Sequence, residues 1–75
     1  MSETITTIGI QLNGQARDIP DGLSVVELLR HIGRLPDTPG VAVAVNDAVV
    51  HKTSWSKTRV HAGDRVELIT ASQGG

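Results

Sequence analysis

Ile8, Ile10 and Leu12 alternate with Thr7, Gly9 and Gln11, the two-residue period of a strand with one buried face. Asn13-Gly14 follows, a pair that readily takes the two positive φ angles of a tight hairpin turn. The return strand is expected over about Gln15 to Ile19. Its register stays open at this level. A two-residue turn sets Arg17 opposite Ile10 and Ile19 opposite Ile8, whereas a bulged turn shifts that pairing. Pro20-Asp21-Gly22 ends the hairpin.

Beyond it the period changes. Ser24 and Glu27 form a capping box, in which the hydroxyl takes an orphan backbone N–H and the carboxylate returns to the cap. Val25, Leu28, Leu29 and Ile32 make one apolar stripe, Leu23 and Leu28 occupy staple positions, and Gly33 suits a left-handed cap. So short a helix needs a sheet to lie on. Pro36 and Pro39 mark a loop. Val41 to Val50 reads as two strands joined at Asn46-Asp47, with Val41, Val43 and Val45 on one face and Ala42 and Ala44 on the other. Apolar character on both faces predicts a central position. Trp55 sits in a polar stretch, Ala62-Gly63-Asp64 makes a turn, and Val66, Leu68 and Thr70 against Glu67 and Ile69 give a last strand. The order β-β-α-β-β-β predicts an α+β chain with a ubiquitin-like β-grasp fold, a mixed sheet of four to five strands packed on one helix. Residues 1–70 would form the domain and 71–75 a mobile tail, because Ala71-Ser72-Gln73-Gly74-Gly75 has no apolar anchor.

Composition narrows the function. A chain of 75 residues buries only about 60% of its unfolded surface, so a deep active site of its own is not expected. Absence of cysteine removes disulfides, thiolate nucleophiles and cysteine-based metal sites. His31, His51 and His61 lack metal-ligand spacing. The net charge of -1, with cations spread along the chain, disfavours nucleic acid. No apolar run suits a membrane helix or a secretory leader, so no membrane association and a cytoplasmic location are expected. No glycine-rich phosphate loop is present, so no cofactor should be bound by the chain itself. Trp55, the sole aromatic, reads either as a lid over a thin core or as a partner anchor. Turn chemistry accounts for Asp64, and helix capping for Ser24.

The remaining chemistry lies at Gly74-Gly75. Five extended residues reach roughly 17 Å, enough to thread a slender carboxylate into a partner's nucleotide site. That carboxylate, with a reference pKa of about 3.3–3.7, is a poor electrophile until activated. Adenylation on a partner, followed by displacement of AMP by a sulfur donor, would leave a thiocarboxylate. Two terminal glycines can equally be a frayed end.

VAVAVNDAVVHKTSW, AGDRVELITASQGG and LSVVELLRHIG together resemble the ThiS family, sulfur carriers of thiamine thiazole biosynthesis, over about Ile8 to Gly75. The resemblance implies that Gly75 carries the acyl adenylate and then the thiocarboxylate. Ser72, Gln73 and Gly74 would fill the partner's channel. It further implies a ThiF-like adenylating enzyme using ATP and magnesium, a sulfur donor system, and thiazole synthase as acceptor, with the chain a carrier and not an enzyme. Polar Ser72 and Gln73 depart from the smaller or apolar residues of the family, and His51-Lys52 from its Pro and basic residue. The small subunit of molybdopterin synthase or another pathway's sulfur carrier is an alternative. A ubiquitin-like binding module or modifier is another.

Overall fold

The computed structural model describes residues 6–36 and 39–70. Strands β1 (Thr7–Leu12) and β2 (Gln15–Pro20) precede helix α1 (Val25–His31). Strands β3 (Val41–Val45), β4 (Ala48–Val50) and β5 (Arg65–Thr70) follow, with a 3-10 turn at Lys52–Ser54 after β4. They form one five-stranded sheet in the order β2-β1-β5-β3-β4. The β1–β5 pair is parallel and the other pairs are antiparallel, which is the mixed sheet of a ubiquitin-like β-grasp fold. As the apolar-on-both-faces pattern implies, β3 lies inside the sheet.

The hairpin register resolves to the two-residue turn: Asn13 and Gly14 both have positive φ, and Ile10 pairs with Arg17 and Ile8 with Ile19. Opposed residues share a face, so Arg17 lies on the side bearing the helix and yet is exposed. Ile19 in the same strand is fully buried while Arg17 stays exposed, so a polar residue is tolerated there.

Both halves of the capping box are present: the Ser24 hydroxyl accepts from the Glu27 N–H at 3.2 Å, and the Glu27 carboxylate accepts from the Ser24 N–H at 2.9 Å. At the other end Gly33 takes φ 84° and the Arg34 N–H donates to the Leu29 carbonyl at 2.8 Å, closing a Schellman-type cap. Val25, Leu28 and Leu29 are buried and Ile32 packs beside them, as the stripe predicts. They meet Ile10, Ile19, Val43, Val60 and Val66. Trp55 is a core member at 2% exposure, and its indole N–H donates to the Val50 carbonyl at 2.8 Å. The lid reading therefore holds, and the anchor reading is set aside. The loop carrying Trp55 is tied to the helix start by Val25 N–H to the Thr58 carbonyl and Val60 N–H to the Leu23 carbonyl, both 2.9 Å.

Candidate functional site

Ser72, Gln73, Gly74 and Gly75, and with them the boundary drawn at residue 71, lie outside the described residues. What the structure places is the strand that leads to them. Thr70 ends β5 and is paired with Val41 at the start of β3. Along β5, Val66 and Leu68 turn toward the core, while Arg65, Glu67 and Ile69 face the opposite, helix-free side. Ile69 is 58% exposed and sits opposite Ala42; Ala44 lies between Glu67 and Val49, which is 68% exposed. Ile69 and Val49 thus stand exposed on the open face, with Ala42 and Ala44 beside them and Glu67 on the same face.

β5, which leads to residues 71–75, is held by side chains as well as by the sheet. At one end the Asn46 amide oxygen accepts from the Arg65 N–H at 2.9 Å, and its amide nitrogen donates to Asp64 at 3.1 Å. Farther along, the Asn13 side-chain oxygen accepts from the Leu68 N–H at 2.8 Å, supplying a partner beside the tight turn where β1 has ended. Both turns were legible in the sequence, but the reach of their asparagine side chains to β5 was not. The only prior signal was that Asn occupies both, and Asn tolerates the φ of 51° found at Asn13 and Asn46.

The other candidates resolve as structural groups. Asp64 accepts from the His61 backbone N–H at 2.8 Å, a turn contact. Ser24 is engaged in its cap. The Ser24 backbone N–H, helped by its hydroxyl, holds the Glu27 carboxyl below its ordinary value. Among the described residues no group of three or more metal-binding side chains comes together. A depression of ≈ 70 Å³ lined by Leu12, Gln15, Ala16 and Arg17 is far below the roughly 300 Å³ at which ligand pockets begin. No helix of the described residues is long and apolar enough to cross a membrane.

The model of the ThiS family matches residues 10–75, through the last glycine. This chain belongs to the ThiS family. Its fold agrees with that of solved members. A crystal structure of the thiamine biosynthesis protein ThiS from Geobacter metallireducens superposes with a TM-score of 0.75 at 30% identity, covering 91% of this chain and 100% of that one. An NMR solution structure of a thiamine biosynthesis protein from the same organism gives 0.72 at 30% identity, covering 91% and 88%. Among curated proteins, none matches the chain. As a ThiS-family protein it is a small sulfur carrier.

Proposed function

We propose that the chain carries sulfur on Gly75 for the thiazole ring of thiamine. The observation that carries this reading is the family match over residues 10–75, which takes in Gly74 and Gly75, on a domain whose β5, paired on both sides, ends at Thr70. A ThiF-like adenylating partner would hold ATP and magnesium. The Gly75 carboxylate attacks the α-phosphorus, pyrophosphate leaves, and the acyl adenylate results. Sulfur from a donor system then attacks the acyl carbon, AMP leaves with the bonding pair, and a thiocarboxylate remains. On thiazole synthase the sulfur passes to the acceptor substrate, and an oxygen from that substrate or from water takes its place at the acyl carbon, restoring the carboxylate. The chain is a co-substrate in each step and contributes no catalytic group; Ser72, Gln73 and Gly74 serve as a narrow neck through the partner's channel.

Intact mass after incubation with ATP, magnesium, a ThiF-like enzyme and sulfide tests this. The expected result is the gain of one sulfur for one oxygen, abolished by deleting Gly75 or by adding one residue after it, with the domain still folded. No gain, with the same enzyme active on another carrier, would overturn the reading in favour of a binding module or modifier.

A further inference from the structure

Two asparagines open the tight turns of the sheet, Asn13 before Gly14 and Asn46 before Asp47, and both have φ 51°. Their surroundings differ. Asn46 is gripped at both ends of its amide, its oxygen accepting from the Arg65 N–H at 2.9 Å and its nitrogen donating to Asp64 at 3.1 Å. The residue after it, Asp47, carries a side chain that pairs with Arg65 at 2.8 Å. Asn13 is held through its oxygen, which accepts from the Leu68 N–H at 2.8 Å. The residue after it is Gly14, exposed, with open space where a Cβ would stand.

Asn13-Gly14 therefore sets a primary amide carbon beside an unhindered backbone nitrogen. Attack of the Gly14 nitrogen on the Asn13 Cγ closes a succinimide ring. The Gly14 N–H proton passes to solvent base, the N–Cγ bond forms, the Cγ–Nδ2 bond breaks, and the amide nitrogen takes a proton from solvent and leaves as ammonia. Water then opens the ring at one of its two carbonyls. One opening gives aspartate; the other gives isoaspartate, with the main chain rerouted through Cβ. Nothing beyond water and solvent base is consumed.

The folded turn forbids the attack. A residue with left-handed φ has ψ of about +47°. Tetrahedral geometry at Cα then places the Gly14 nitrogen nearly opposite Cβ across the Cα–C bond, where no ring can close. Two bonds to β5 hold Asn13 in that state, the one from Leu68 and its own N–H to the Val66 carbonyl at 2.9 Å. We propose that Asn13 is a site of spontaneous deamidation, closed while the hairpin turn is bound to β5 and opened when the turn is released, and that its isoaspartyl product cannot rebuild the turn. The rerouted chain is longer by one backbone atom and carries its carboxylate on Cα, so the contacts to Val66 and Leu68 cannot both be remade. An aspartate product keeps the side-chain oxygen and the N–H, and with them both contacts.

The test is incubation of the full chain in mildly alkaline buffer, with and without urea above the unfolding midpoint. Exchange of an amide NH2 for OH is followed by intact mass, and the residue is located by peptide mapping. Asn13 should convert at least about tenfold more slowly in the folded chain than in urea, because the rate follows the population of the open turn. Asn46 should stay intact in the folded chain over the same interval. The purified isoaspartyl form should melt at a lower temperature and exchange its Leu68 amide hydrogen faster, whereas N13D should match the unaltered chain in both. Equal rates in folded and unfolded chain would overturn the gating by the turn. Conversion of Asn46 before Asn13, or an Asn13 that stays intact in urea, would remove the site. An isoaspartyl form with unchanged melting and an equally protected Leu68 amide would overturn the consequence for β5.

Discussion

The two faces of this sheet are built from the same strands and are under opposite demands. On the covered face, Ile10, Ile19, Val43 and Val66 meet α1, and each is at most 3% exposed. On the open face the intervening positions are Ala42, Ala44, Glu67, Val49 and Ile69, all exposed or half-buried among the described residues. Because side chains alternate strictly along a strand, one face can be committed to stability while the other is left for contact without altering the backbone. Branched aliphatics fill the first face. The second combines small residues with a few large apolar ones, a mixture that contributes little to folding and is available to a partner.

Three substitutions sharpen that contrast, and the largest effect belongs to the covered side. Trp55 closes the core, so W55A should cost about 3–5 kcal/mol by urea titration, a large share of what so small a domain holds. A loss under 1 kcal/mol would mean that the lid is dispensable. On the open face, I69D and V49D should each change stability by less than about 0.5 kcal/mol, the range for exposed sites outside special features. If either unfolds the domain, the two faces are not independent.

The smallest effect concerns the start of the covering helix. Glu27 has its carboxyl lowered from the ordinary 4.5, first through the Ser24 backbone N–H and then through its hydroxyl. A carboxyl with a lowered folded value stabilises above its unfolded value and loses that contribution as pH falls through the folded one. The melting temperature of the unaltered chain should therefore exceed that of E27Q at neutral pH, and the gap should narrow as pH drops below 4.5. A gap that widens in acid would reverse the assigned role of the capping box.

Local periodicity and chemistry were enough for the strands, the helix, both of its caps and the two asparagine-bearing turns, because each depends on residues a few positions apart. The ThiS resemblance came from segments of the same kind, and the family match over residues 10–75 covers nearly the same span. Long-range placement was decided only in the folded chain. The hairpin register, left open between a tight and a bulged turn, was settled by the two positive φ angles at Asn13 and Gly14, which set Arg17 opposite Ile10. Trp55 was ambiguous in a polar stretch until the fold set it under the end of β4, with its N–H on Val50. Asn13 stands 55 residues from Leu68, so no local pattern announces their bond. Strand pairing brings such distant segments together, and that is a property of the sheet, not of any stretch of chain.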